Sequence, residues 1–215
     1  MFLKSNKEEL RARITPLLDS VHIEQSPADW RSGAVRGDHD LNPATAPDIQ
    51  SSFKKAAVLV PIVLRAAEPH VILTKRADHL NKHAGQISFP GGRAEEEDAT
   101  VVHTALRESE EEIGLDPGYV DIIGRLNTYL TVTNYAVTPI VGLVEPVNNL
   151  VAEVSEVDEI FEVPLRFLLD MSNHQKHSGY HNGIERFWYA MPYGDYYIWG
   201  ATAGMIRDLS ERVKG

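Results

Sequence analysis

Apolar positions along the chain change their spacing in a way that marks out successive elements. Near the start, Leu10, Ile14, Leu17 and Leu18 recur at helical intervals behind Ser5, a candidate N-cap, which predicts a helix over residues 5–19. Between Ser26 and Ser52 the periodicity stops and Pro27, Gly33, Gly37, Pro43 and Pro47 interrupt a polar stretch. That composition predicts a long arm, either wrapped on the core or reaching a partner subunit. Two β-branched runs, residues 56–64 and 71–74, read as strands, the first apolar enough to be buried on both faces. Gly85, Pro90, Gly91 and Gly92 then break regular structure, and residues 99–113 read as a strong helix closed by Gly114. On that helix Val102, Leu106, Ser109 and Ile113 are the expected buried stripe. Further strands are expected at 120–126, 130–132 and 136–143, with Asn134 at a turn. A short helix is expected at 164–170, a hairpin of 186–191 with 196–199 around residues 192–194, and a final helix at 201–213. This order predicts an α+β fold in which helices cover both faces of a mixed β-sheet. It divides the chain into an N-terminal helix and arm, 1–52, and a main domain, 53–215.

Composition narrows the function. The 215 residues, 43% of them hydrophobic, suffice for one sizeable α/β domain. The absence of cysteine excludes disulfides, thiolate zinc sites and cysteine nucleophiles. The opening residues MFLKSNKEEL lack the apolar stretch of a secretory signal, and the ending ERVKG carries no retention or peroxisomal address. The longest apolar run, 56–64, is about half of what a membrane span requires. A cytoplasmic location is therefore expected. A formal net charge of −10 argues against bulk capture of nucleic acid or an anionic membrane.

That charge is concentrated. Residues 95–121 hold ten acids against the single base Arg107. Glu153, Glu156, Asp158, Glu159 and Glu162 form a second acidic run. On the predicted helix, Glu108 and Glu112 are i,i+4 neighbours flanking the apolar stripe, and Glu111 is i+3 from Glu108. They crowd the C-terminal end, where the helix macrodipole disfavours anions. A solvated acidic face with Arg107 paired to Glu111 is one explanation. The other is a site for a hard divalent cation, because clustered carboxylates suit Mg²⁺ or Mn²⁺. His174, His177 and His181 have neither a thiolate nor an obvious fourth ligand beside them and are expected to be loop histidines rather than a zinc site. His83 and His103 are expected to be packing or surface residues. Tyr193, Tyr196, Tyr197 and Trp199 are candidates either for stacking on an adenine or for hairpin packing, and packing is the expected role.

The surroundings of the acidic helix decide between these readings. Gly92 to Leu115 reads GRAEEEDATVVHTALRESEEEIGL, which resembles the Nudix box, the loop–helix–loop motif of enzymes that hydrolyse nucleoside diphosphates linked to another group. Arg107, Glu108, Glu111, Glu112 and Gly114 fall on its REUxEExGU core, with Ser109 in the usually apolar slot. Asp98 stands in place of the usual Glu, and the gap from Gly92 to Arg107 is one residue longer than in the general box. Both departures resemble the coenzyme A pyrophosphatase branch. So does the segment upstream, where Ile72-Leu73-Thr74-Lys75-Arg76-Ala77, Gly85 and Phe89-Pro90-Gly91-Gly92 match LLTxR(S/A)…G…FPGG, with Asn81 in place of a second arginine.

The resemblance implies a Nudix-type α/β/α sandwich and a metal-dependent diphosphatase. Mg²⁺ or Mn²⁺ would be held by Glu108 and Glu112, with Glu111 as a further ligand or general base and the Gly92 carbonyl as another ligand. Substrate would meet Arg76, Gly85, Phe89 and Gly91. The implied substrate is coenzyme A or a derivative, cut to 4′-phosphopantetheine and adenosine 3′,5′-bisphosphate, and a homodimer is expected by analogy. The alternatives are a Nudix hydrolase of ADP-ribose or a dinucleotide, and a Nudix-fold binding module without catalysis.

Overall fold

The computed structural model describes residues 6–21, 25–48, 52–80, 83–181 and 183–215. Helix α1 (Lys7–Ile14) is shorter than expected, because Pro16 tightens the chain into a 3-10 turn, Thr15–Leu17. Its N-cap is Asn6, whose Oδ1 accepts the Glu9 N–H at 2.9 Å; Ser5 lies outside the described residues.

The arm wraps its own core. Trp30 is buried edge-on against Phe53 at 5.3 Å, and β1 (Val35–Gly37) forms a parallel ladder further along the chain. Asp38 accepts the Tyr129 hydroxyl at 2.9 Å and the Val132 N–H at 2.8 Å. The Asn42 amide pairs with both backbone groups of Phe187, at 2.8 and 2.9 Å.

Strands β2 (Lys54–Leu64), β3 (Pro69–Arg76), β4 (Ile87–Ser88) and β5 (Gly91–Arg93) follow, then α2 (Val101–Ile113). The chain continues through β6 (Val120–Arg125), β7 (Thr128–Leu130), β8 (Tyr135–Val144), β9 (Val157–Pro164) and α3 (Leu165–Leu169). It ends with β10 (Gln175–His181), β11 (Ile184–Tyr193), β12 (Tyr196–Trp199) and α4 (Gly200–Lys214). Among the described residues, nine strands form a mixed sheet ordered β1-β7-β8-β2-β3-β4, with β5 on β2, β6 on β8 and β9 on β3. Strands β10 to β12 form a second, antiparallel sheet.

Alternation along β2 builds the two layers. Ala56, Val60 and Ile62 enter one core with α3 and α4; Ala57, Leu59 and Val63 enter the other with α2. Strand β8 runs parallel to β2 over ten paired positions, so the centre of the sheet is covered on both sides, as the apolar run predicts. The fold is α+β with a mixed sheet between helical layers.

Several expectations need correction. Gly91 and Gly92 do not break the sheet but pair with Val58 and Ala57. Strand β9 was hidden by its acids: as an edge strand it exposes Asp158 and Glu159 while burying Phe161 and Val163. Strand β10 carries His177 and His181 in a ladder with β11, so these are not loop residues. Pro192 lies within β11, paired with Tyr197. The buried stripe of α2 is also rotated. Val101, Ala105, Ser109 and Ile113 lie innermost, with Val102 and Leu106 on the flank. The small side chains of Ala105 and Ser109 let the helix lie close to β2, with the Ser109 hydroxyl turned back to the Ala105 carbonyl at 2.6 Å. No helix among the described residues is long and apolar enough to cross a membrane.

Candidate active site

Helix α2 starts at Thr100, whose hydroxyl accepts the His103 N–H at 3.0 Å, and stops at Gly114, which takes φ 66°. The chain after β8 folds back to satisfy its last carbonyls: the Val151 and Glu153 N–H groups donate to Ile113 and Glu112 at 3.0 and 2.9 Å. The rotated stripe then turns Glu112 inward, to 3% exposure. Its Oε2 accepts the Gly91 N–H at 3.0 Å, and its Oε1 lies 3.5 Å from Arg76 Nη1. Burial pushes this carboxyl up to about 7; Glu108 and Glu156 add to the rise, and the Gly91 N–H and Arg76 oppose it.

Glu108 lies one turn earlier, against β5. A Cβ on Gly92 would fall within 2.7 Å of either Glu108 carboxylate oxygen, so glycine is what admits the side chain there. Gly91 has φ 148°, and a Cβ would meet the Ala57 carbonyl oxygen at 2.5 Å. Burial also raises the Glu108 carboxyl; Arg107 draws it back, and Glu111 and Glu156 push it further up.

Arg107 is the hub that orders these acids. Its Nε and Nη2 donate to the two oxygens of Asp98 at 3.0 and 2.9 Å, and Nη2 also reaches Glu108 at 3.0 Å. Its Nη1 holds Glu111 at 2.9 Å, the expected i,i+4 pair, and Glu111 is 59% exposed. Burial works to raise the Asp98 carboxyl, but Arg107 and the Glu95 N–H hold it down at about 2.

The upstream segment reaches the same place. Arg76 ends β3 at a register shift; its N–H donates to Gln86 O and its carbonyl accepts the Gly85 N–H, both at 3.0 Å. Gly85, at φ 67°, is thus the turn residue that closes the loop behind Arg76. Phe89 is 2% exposed in the core with α3 and α4, so it anchors the glycine pair from within rather than facing the site surface. Asn81 lies outside the described residues.

Glu156 is the site residue that sequence reasoning did not single out. The Ala77 N–H donates to its carbonyl at 2.9 Å, and its charge acts on both Glu108 and Glu112. The second acidic run was the available signal, but nothing in its spacing separates Glu156 from its neighbours. The histidines are accounted for elsewhere: His174 is buried on the Leu168 carbonyl at 2.7 Å, and His177 bonds Gln175 and Tyr197. The side chain of His181 lies outside the described set. Tyr196 stacks on Phe161 at 3.7 Å and Tyr193 packs on Phe167, the packing role expected of them, whereas Tyr197 and Trp199 of the same cluster are exposed.

As they stand, no three His, Asp or Glu side chains among the described residues converge to hold a metal ion. The donor chemistry nevertheless fits a hard divalent cation. Glu108, Glu112 and Glu156 are carboxylates under mutual repulsion beside a backbone stripped of side chains at Gly91 and Gly92.

A family model described as NUDIX domain matches residues 54–182. The uncharacterized Nudix hydrolase NudL of Escherichia coli O1:K1 / APEC is 43% identical over 163 residues, covering 75% of this chain and 84% of the relative. The protein of the same name from Shigella boydii serotype 18 matches to the same extent. Among solved structures, the MutT protein from Methanosarcina mazei Go1 aligns with a TM-score of 0.49 and 20% identity, over 78% of this chain and 96% of that one. With a family match across more than half its length and a close relative over three quarters of it, the chain belongs to the Nudix hydrolase family.

Proposed function

We propose that this hydrolase cuts the diphosphate linkage of coenzyme A or its acyl derivatives, releasing 4′-phosphopantetheine or its acyl form and adenosine 3′,5′-bisphosphate. One observation carries the reading. The segment that resembles the coenzyme A branch and the box helix meet on a single carboxylate, since Arg76 and Gly91 both contact Glu112. The two adjoining motifs thus share one site, with Arg76 and Glu112 brought together from opposite ends of the pair, which supports reading them as one machine.

In this proposal Glu108 and Glu112, with the Gly92 carbonyl and Glu156, would hold Mg²⁺ or Mn²⁺. A cation bound there would supply charge to offset the diphosphate oxygens and would make the attacking water more acidic. Glu111 faces solvent on its Arg107 tether and is left to take a proton from the attacking water. Water oxygen bonds to one phosphorus, the bond from that phosphorus to the bridging oxygen breaks, and each half leaves as a phosphate monoester. Arg76 supplies planar N–H donors for the diphosphate oxygens.

The test is product analysis after separate incubations of coenzyme A, an acyl-coenzyme A and ADP-ribose with Mg²⁺ and with Mn²⁺. Adenosine 3′,5′-bisphosphate from the first two is expected. Cleavage of ADP-ribose alone would replace the substrate assignment, and ligand binding without any product would replace catalysis by a binding role.

A further inference from the structure

The two oxygens of Glu112 are in different situations. Oε2 takes a backbone hydrogen bond from β5 at 3.0 Å. Among the described residues, the one partner of Oε1 is the Arg76 guanidinium at 3.5 Å, close enough for an ion pair but too long for a good hydrogen bond. That contact does not determine where Arg76 stands. Its backbone is clamped on three sides, by Gln86, by Gly85 and, through Ala77, by Glu156. The main chain is fixed while the side chain stays 25% exposed, beside a Glu112 side chain that is 4% exposed.

A guanidinium and a divalent cation cannot both occupy Oε1, because like charges at such range repel strongly where water is largely excluded. We propose that Arg76 is the built-in counter-ion of Glu112 in the cation-free protein, and that it is handed to the substrate diphosphate when a divalent cation takes the carboxylate. This rests on the metal-dependent reading above. It makes Arg76 a residue that couples two ligands. Before the cation arrives, a diphosphate must compete with Glu112 for the guanidinium; afterwards the guanidinium is free. By linkage, cation and diphosphate each tighten the binding of the other.

The test is a Mn²⁺ titration of the full chain without nucleotide, following the paramagnetic resonance signal of free Mn²⁺. Arg76→Gln should bind Mn²⁺ on the order of tenfold more tightly than the unsubstituted protein, because a cation beside the ligand has been removed. Arg76→Lys, which keeps the charge, should stay near the unsubstituted affinity. In the presence of Mn²⁺, ADP used as a diphosphate probe in calorimetry should bind the Gln variant more weakly. The sign of the first effect matters, since structural damage weakens metal binding and cannot tighten it. Unchanged or weaker Mn²⁺ affinity in an Arg76→Gln protein with a normal melting curve overturns the inference. No uptake of Mn²⁺ by the unsubstituted protein overturns it together with the metal-dependent reading. Failure to cleave coenzyme A would leave the Mn²⁺ result standing and remove only the substrate assignment.

Discussion

Two helices, one on each face of the sheet, bury a carboxylate to the same degree and treat it differently. On α4, Asp208 is 3% exposed; its Oδ2 accepts the Asn127 N–H at 3.0 Å, and its Oδ1 accepts the Asn127 amide at 3.0 Å and Arg212 Nε at 3.3 Å. Arg36 stands 3.8 Å away as a second cation. On α2, Glu112 is also 3% exposed but has one backbone hydrogen bond and one long ion pair, with two further carboxylates acting on it. A buried charge supplied with several donors and a cation holds a structure together. One left short of positive charge costs stability, and a protein that keeps it gains something else from the position. Burial alone does not distinguish the two; the inventory of partners does.

The strongest way to break this contrast is to neutralise each acid in turn. Glu112→Gln should lower hydrolysis on the order of 10³-fold, measured as product release at saturating metal. Its urea midpoint should be unchanged or higher, since an under-compensated charge has been removed. Asp208→Ala should do the opposite. It strands the Asn127 amide and takes one carboxylate from Arg212 and Arg36, which keep Asp19 and Glu211, costing about 2–4 kcal/mol in urea unfolding, with the turnover rate of the remaining folded protein preserved. If Glu112→Gln unfolds the protein while Asp208→Ala leaves it stable, the two carboxylates have been assigned the wrong roles.

A smaller effect sharpens the α2 half of the comparison. Gly92→Ala places a methyl within 2.7 Å of the Glu108 oxygens, and that side chain must swing away. The nearest atoms all belong to this one side chain and none to backbone, so the fold should survive with little loss of melting temperature. Turnover should fall roughly 10- to 100-fold, accompanied by weaker Mn²⁺ binding. Normal turnover in the alanine variant would separate Glu108 from the metal site.

The parts of this site written into local spacing were readable from the chain alone. Helix α2, its Gly114 stop, the Arg107–Glu111 pair and the crowding of Glu108 with Glu112 all follow from positions three or four residues apart. What was not readable depends on close approach or on distant chain. The inner stripe of α2 runs through Ala105 and Ser109, which are weak hydrophobic signals beside Val102 and Leu106. Their smallness brings the helix down on β2 and rotates Glu112 inward. Glu156 comes from far along the chain, placed by a segment that caps the carbonyls of α2, an arrangement with no local pattern to announce it. In the fold, β9 escaped for a related reason. Acids on an edge strand look like a loop until β3 supplies its hydrogen bonds. The arm shows the reverse case. Its composition says loop, and its strand and buried Trp30 exist because β7 and Phe53 are there to receive them.

The smallest expected effect tests the same rule on a different group. His174 packs beneath α3 with Nε2 on the Leu168 carbonyl at 2.7 Å, so Nε2 carries the proton, while its buried Nδ1 has no partner among the described residues. Burial lowers its pKa below the usual 6.5, with repulsion from Arg207 and Lys214 adding to the fall and the Leu168 bond opposing it. The folded protein therefore keeps this ring neutral at a pH where the unfolded chain has begun to bind a proton. The stability it contributes is present above the ordinary histidine value and is lost as pH drops below it. His174→Gln, which retains a donor for Leu168, should flatten that part of the urea-midpoint profile between pH 7.5 and 5 without altering turnover. An identical slope in both proteins would mean that Nδ1 finds an acceptor when protonated, and that the missing partner carries no cost at this position. The inventory of partners would then identify a costly burial for a carboxylate but not for an imidazole, a distinction that follows only if the ring can turn to water when it charges.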